Sequence, residues 1–220
     1  MDLDQALRTT GAVRSFTDEP VDDSTVAAIL DAARFAPSGG NRQPWRVAVV
    51  RDPGVRRSLA ELQQAPWNEY VAARAAGQNP FAPVGYVPVA DPPHATNPLL
   101  EHYADPGTVV LVVAVDLRLL AVTDSRLDRP SVVGGASIYP FCWSILLAAH
   151  DHGVAGVLTT FLAYAEPDAG PLLGLPDHHA IAAAIVLGHP DPPRPTRLTR
   201  HPVDAFATAE RFDGPSFPTT

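Results

Sequence analysis

Apolar positions along the 220-residue chain fall into two periods, separated by stretches dense in proline and glycine. Leu3, Ala6 and Leu7 recur at helical spacing within residues 2–10, which predicts a short first helix stopped near Gly11. Asp22 or Asp23 can cap the next helix. There Val26, Ile29, Leu30 and Ala33 stand at i, i+3, i+4 and i+7, one apolar stripe that Pro37 should end. Val47 to Val50 has no polar face and predicts a strand covered on both sides, closed by Asp52-Pro53. From Pro53 to about Ala76 helical spacing returns through Val55, Leu59 and Leu62, with a break expected at Pro66 and resumption from Trp67 to Ala75.

Thr108 to Val115 is the most hydrophobic β-branched run and predicts a central strand. After a polar loop from Val122 to Pro130, Gly134 to Gly153 predicts a long, buried central helix. Ile138, Phe141, Cys142, Ile145, Leu146 and Ala149 keep its stripe, and Pro140 either belongs to its first turn or kinks it. Val154 to Phe161 and Ala180 to Leu187 are two further strand-like runs. Between them a short helix is expected from Pro167 to Leu175, ending at Gly174.

Two stretches keep neither period. Residues 77–107 carry repeated prolines, and a loop of that length inside a compact domain is functional or disordered. Phe81, Tyr86 and Tyr103 favour a lid over the substrate side of a site. From about residue 189 to 220 the chain is Pro-rich and basic, with Arg194, Arg197 and Arg200 ahead of His201-Pro202-Val203-Asp204-Ala205-Phe206. Such a segment cannot bury a core of its own and should lie as an extended arm on another surface.

With 46% apolar and 18% charged residues, this reads as one globular domain spanning 1–220. The net charge of −8 speaks against a nucleic-acid partner. No apolar run approaches the roughly 20 residues of a membrane helix, and the first residues lack the features of a signal peptide. A single cysteine, Cys142, forms no intrachain disulfide, so a reducing, cytoplasmic compartment is expected, with the thiol as core packing.

The densest chemistry lies in Ala36-Pro37-Ser38-Gly39-Gly40-Asn41-Arg42-Gln43-Pro44-Trp45, between a helical and a strand-like segment. Gly39 and Gly40 let backbone approach a ligand, while Ser38, Asn41, Arg42 and Gln43 offer a donor-rich set suited to a planar heteroaromatic ring or a polyol. An ordinary helix C-cap and turn is the competing reading. Elsewhere there is no GxGxxG, Walker loop, GxSxG, HExxH or CxxC. His150-Asp151-His152 and His178-His179 do not make a persuasive metal site.

Arg14-Ser15-Phe16, Pro20-Val21, Ala36-Pro37-Ser38 and Asn41-x-Gln43-Pro44-Trp45 leading into Val47-Ala48-Val49-Val50 together resemble the N-terminal signature of the nitroreductase family. Leu146-Leu147-Ala148-Ala149 and Gly188-His189-Pro190 continue the likeness. The resemblance implies an α+β fold with a central, mostly antiparallel sheet of four or five strands flanked by helices, a long central helix and a C-terminal extension exchanged in a homodimer. It implies an FMN-dependent oxidoreductase that passes hydride from NADH or NADPH through flavin N5 to an electron-poor acceptor such as a nitroaromatic or quinone. A flavin-binding protein without turnover, or dehydrogenation, dehalogenation or flavin cleavage on the same fold, are the alternatives. By the same resemblance Arg14 sits near the flavin N1–O2 edge, and Ser38, Gly39, Asn41 and Gln43 grip the cofactor. Leu158, Thr159 and Thr160 offer a backbone N–H near N5, and Arg200, with Arg197 second, reaches the phosphate. The family's run of basic residues before Arg14 is replaced here by Thr10-Gly11-Ala12-Val13. The chemistry belongs to the flavin, and no side-chain acid or base is assigned.

Overall fold

The computed structural model describes residues 2–192 and 197–218. Four strands, β1 (Trp45–Val50), β2 (Val109–Asp116), β3 (Ala155–Thr159) and β4 (His179–Gly188), form one sheet in the order β1-β2-β4-β3, with each neighbouring pair antiparallel. The helices are α1 (Leu3–Thr9), α2 (Asp23–Ala33), α3 (Pro53–Leu62), α4 (Gln64–Ala75), α5 (Pro98–Glu101), α6 (Tyr139–Asp151), α7 (Phe161–Tyr164) and α8 (Glu166–Leu173). This is the α+β architecture expected.

All eight residues of β2 are buried, and the reason is visible in its alternation. Val109, Leu111, Val113 and Val115 pack with α2 and α6 through Ile29, Phe141 and Ile145. Val110 and Val112 point to the opposite face, among Leu59, Tyr103 and Leu162. Antiparallel sheets often leave one face in water; here helices cover both, so the period of two vanishes into one apolar run. The bulge between Val113 and Ala114 puts Ala182 and Ala183 of β4 on the same face, where both join the α2–α6 core.

Local chemistry explains the borders. Asp22 caps α2 by accepting from the Thr25 N–H at 2.6 Å, and Val26, Ile29 and Ala33 form the buried stripe. The helix ends at Ala33, four residues ahead of Pro37. Gly174, at φ 61°, closes α8 in the left-handed conformation.

Four expectations need correction. β1 is not covered on both sides: it is an edge strand paired only with β2, so Arg46 and Val49 are exposed. The break after α3 falls at Gln63 rather than Pro66, because Pro66 fits the first turn of α4, where backbone N–H groups have no helical partner. The central helix begins at Tyr139, not Gly134, and Pro140 occupies its first turn without a kink inside it. Residues 98–104 are helical, and Tyr103 is fully buried in the core, so it is no part of a lid.

Candidate functional site

The linker that carries Arg14 is stitched along the β3–β4 end of the sheet. Val13 N–H donates to the Gly156 carbonyl at 2.9 Å, Asp191 N–H to the Ser15 carbonyl at 3.1 Å and Thr17 N–H to the His189 carbonyl at 2.9 Å. Val13 and Phe16 turn into the core, which leaves Arg14 and Ser15 facing out. Gly188 makes this fit possible: a Cβ there would meet the Phe16 ring at 2.7 Å. Arg14 forms no ion pair among the described residues.

Beside this linker opens a cavity of about 810 Å³. One wall is Arg14 and Ser15, and the end of β3 supplies Leu158, Thr159 and Thr160. Thr159 is fixed from behind. Its hydroxyl donates to Gln63 Oε1 at 3.3 Å, the same oxygen accepts from the Tyr103 hydroxyl at 3.1 Å, and Gln63 Nε2 donates to the Leu59 carbonyl at 2.9 Å. Burial pushes the Tyr103 phenol up to about 12, so it stays neutral and remains a donor at working pH.

The far wall belongs to α4. Trp67, Tyr70 and Arg74 stand at i, i+3 and i+7, hence on one helix face. The Trp67 and Tyr70 rings lie nearly parallel with centroids 5.6 Å apart, Phe161 meets both edge-on, and the Arg74 guanidinium sits over Tyr70 at 6.0 Å. His102, paired with Asp105 at 2.6 Å, and Asn97 and Leu99 complete the rim. The sequence reading predicts a helix from Trp67 to Ala75 but assigns these residues no part in a site.

Ser38, Gly39, Asn41 and Gln43 are elsewhere. Their loop leads into β1, at the opposite edge of the sheet from β3, three strand spacings or about 14 Å away. Gly40, Asn41 and Gln43 all take positive φ, at 61°, 51° and 48°, and for glutamine that is a strained choice. Two internal bonds and one from outside hold the solvent-facing loop: Gln43 N–H donates to Ser38 Oγ at 3.0 Å and Gln43 Nε2 to Asn41 Oδ1 at 3.2 Å, while Gly39 N–H donates to Ser137 Oγ at 3.0 Å. The base of the loop is anchored by Trp45 stacked on Phe141, with centroids 4.6 Å apart.

Within one chain, then, Arg14 meets Leu158, Thr159 and Thr160, but the Ser38–Gln43 group does not join them. Arg197 and Arg200 do not line the cavity either; both are exposed on the arm, which crosses α1 through Leu198 N–H to the Arg8 carbonyl at 3.2 Å. Arg194 lies outside the described residues. Of residues 77–107 only Asn97, Pro98, Leu99 and His102 reach the cavity. Phe81 instead packs against Tyr164 and Tyr86, and Tyr86 is hydrogen-bonded to Glu69. The described residues hold no group of three metal-ligating side chains, and no described helix is long and apolar enough to cross a membrane. Cys142 is buried in the core, its thiol pushed up to about 12.

The sequence profile of the Nitroreductase family matches residues 7–189. The chain belongs to this family. It is 31% identical to "NADH dehydrogenase" of Thermus thermophilus over 81% of this chain and 82% of that protein. It is 27% identical to "Nitrobenzene nitroreductase" of Ectopseudomonas oleovorans over 94% and 96%. In structure it superposes on the NADPH:FMN oxidoreductase of Vibrio harveyi, solved with NAD+, with a TM-score of 0.67 and 20% identity, over 94% of this chain and 76% of that one. As a nitroreductase-family member the chain is an NAD(P)H-dependent flavin oxidoreductase.

Proposed function

We propose that this nitroreductase acts as a homodimer, with FMN held between the Arg14–Thr160 cavity of one subunit and the Ser38–Gln43 loop of the other. It moves reducing equivalents from NADH or NADPH to a small, electron-poor acceptor. The observation that carries this reading is the division of the donor set. A cation, hydroxyls and an apolar wall lie at one sheet edge, and an open amide-and-hydroxyl loop at the other, farther apart than one flavin ring system comfortably spans.

The cavity's donor set fits the group. Arg14 offers a guanidinium that forms no ion pair among the described residues, placed to favour negative charge at one edge of a bound ring. Thr159 and Thr160 bring hydroxyls and backbone N–H groups, while Val13, Leu99 and Leu158 give the apolar surface a tricyclic ring needs. Bound FMN supplies the two-electron relay, so that quinone, NAD(P)H and a proton give hydroquinone and NAD(P)+. The chain's own share is to hold, orient and shield.

Exposed apolar side chains support the dimer. Leu3 and Leu7 line one face of α1, Tyr139 and Trp143 one face of α6, and the Thr10 hydroxyl and His150 Nδ1, 2.7 Å apart, tie the two regions together. The arm, with Phe206, Phe212 and Phe217 exposed, would cover a second copy and carry Arg200 and Arg197 to the phosphate. A buried, poorly ionised Cys142 suits a cytoplasmic setting. From residues 77–107, Asn97, Pro98, Leu99 and His102 would help shape the acceptor side.

Purified protein should be yellow and release FMN on denaturation. Arg14→Ala should weaken FMN binding about 10- to 100-fold, the worth of a charge-assisted contact. A colourless wild-type protein that refuses added FMN would sink the reading. Steady-state NAD(P)H oxidation with a quinone separates an enzyme from a flavin carrier.

A further inference from the structure

Reduction of a quinone consumes one proton beyond the hydride that NAD(P)H carries, and the cavity wall holds few groups able to take it. Its ionisable side chains are Arg14, Tyr70, Arg74, His102 and Asp191. A guanidinium keeps its proton, and carboxylates and phenols as classes keep one state through the neutral range, whereas imidazole changes charge between about pH 5 and 8. We infer that His102 Nε2 takes up that proton when the cofactor is reduced and gives it up when the acceptor is. The inference rests on the flavin reading above, and it adds a titrating side chain to a chemistry otherwise left to the ring.

The imidazole is held in one orientation. Its Nδ1 lies 2.6 Å from Asp105 Oδ2, and its ring stands at 87° to that of Phe16, with centroids 6.0 Å apart. A carboxylate can only accept, so Nδ1 carries the hydrogen, and in the neutral ring Nε2 keeps its lone pair. Nε2 has no hydrogen-bond partner among the described residues. The turn that bears the pair is clipped in place. Thr108 Oγ1 donates to the His102 carbonyl at 2.8 Å, and buried Arg56 donates through Nη1 to the Asp105 carbonyl at 3.0 Å and the Thr108 carbonyl at 2.8 Å. Phe16 is two residues from Arg14 on the linker, so imidazole and guanidinium belong to one packed unit of the wall. A base oriented by a carboxylate, with its second nitrogen unengaged, is an arrangement suited to moving protons.

The surrounding charges couple that proton to the electrons. On its own segment His102 faces the Asp105 carboxylate; α3 brings Arg56, the linker Arg14, α4 Arg74, and the segment after β4 Asp191. Glu101 and the Glu19–His189 pair are off the cavity wall. The guanidiniums are fixed charges. Electrons added to a bound ring therefore meet one wall group that can answer with a new positive charge, and negative charge nearby favours imidazolium. The linkage is reciprocal: if reduction promotes proton uptake, lower pH promotes reduction by the same factor. Each turnover balances. The hydride brings two electrons and one proton, an N–H bond forms at Nε2 with a proton from solvent, and that bond breaks as the quinone takes hydride and proton and leaves as hydroquinone.

Midpoint potentials of the FMN-loaded enzyme, measured by dye equilibration across the neutral range, test this without turnover. Each proton taken up with two electrons changes the equilibrium tenfold per pH unit, which for such a couple is about 30 mV. Wild type should show a stretch within about pH 5–8 where the potential falls by roughly 60 mV per pH unit, against roughly 30 mV outside it. His102→Gln should hold a slope of roughly 30 mV throughout. Asp105→Asn, which keeps the imidazole, should shift the steep stretch along the pH axis. The near-UV absorbance of the reduced cofactor reports protonation of the ring itself and should stay constant across that stretch. A wild-type slope of about 30 mV at every pH would overturn the inference. So would a steep stretch that survives His102→Gln or stands unmoved in Asp105→Asn, or an absorbance that changes in step with the slope, which would put the proton on the ring. All of these would be seen in a protein that holds FMN. Failure to hold it at all would instead strike the flavin reading.

Discussion

The two edges of the sheet are built on opposite plans. At the β3 edge the polar residues stand on a frame: the Arg14 linker is hydrogen-bonded on both sides, and Thr159 is backed by Gln63 and Tyr103, which are 1% and 0% exposed. At the β1 edge they stand on each other. Gln43 and Asn41 take left-handed backbone and spend their side chains on bonds within the loop, with Ser137 the outside support. A preorganised wall and a strained, solvent-facing loop are complementary halves: one can receive a ligand alone, while the other has reason to be strained only if something arrives to meet it.

The comparison breaks or holds most visibly in mixed subunits. Arg14→Ala and Asn41→Ala should each empty most sites of FMN. If the halves come from different chains, refolding the two variants together restores intact sites, because a heterodimer places both lesions in one site and none in the other. Random pairing then returns about a quarter of the sites. Flavin absorbance per subunit is the measurement, and its failure to recover would put both halves in one chain's site, against the distances above.

The next largest effect is expected behind the rigid wall. Gln63→Leu leaves the Tyr103 and Thr159 hydroxyls without their shared acceptor, Tyr103 in a place water does not reach. Orphaned buried donors make the change cost about 2–4 kcal/mol of stability. Thermal or urea unfolding reads this directly. A loss near zero would mean that the network is slack and that the β3 edge is no more rigid than the loop.

How far the sequence foretold this arrangement depended on the range of the contacts involved. Strands and helices with sustained periods, such as Val109–Val115 and Val26–Ala33, were legible because periodicity records burial residue by residue. β1 was misread as covered because a run of valines looks alike at the edge and in the middle; only pairing partners distinguish them. Tyr103 reads as part of a lid in the sequence because the prolines around it mask a short helical segment. At the site, Arg14 and the Ser38–Gln43 loop were legible through resemblance and local donor density. Trp67, Tyr70 and Phe161 were not, because their convergence joins α4 to the start of α7, a contact nearly a hundred positions apart that no local pattern encodes.

The smallest expected effect concerns what holds the loop's outside support in place. Residues 122–135 run into the segment bearing Ser137, and Asp124 organises them: its carboxylate accepts from Ser131 Oγ at 2.7 Å, the Val132 N–H at 2.9 Å and Arg129 Nη1 at 2.8 Å. These donors hold the carboxyl well below its ordinary value of 3.8. A carboxyl whose folded value is depressed contributes stability that is present in full above the unfolded value and is lost as pH falls below it toward the folded one. Asp124→Asn should therefore lower the Tm at pH 7, and the gap to wild type should shrink progressively as pH falls below about 4, where the wild-type carboxylate begins to lose its advantage. FMN affinity should weaken slightly in parallel through Ser137 and Gly39, whereas Thr159→Val, on the other edge, should leave the pH dependence of Tm as it was. A gap that stayed constant down to pH 3 would detach Asp124 from the loop's support and make the β1 edge self-sufficient.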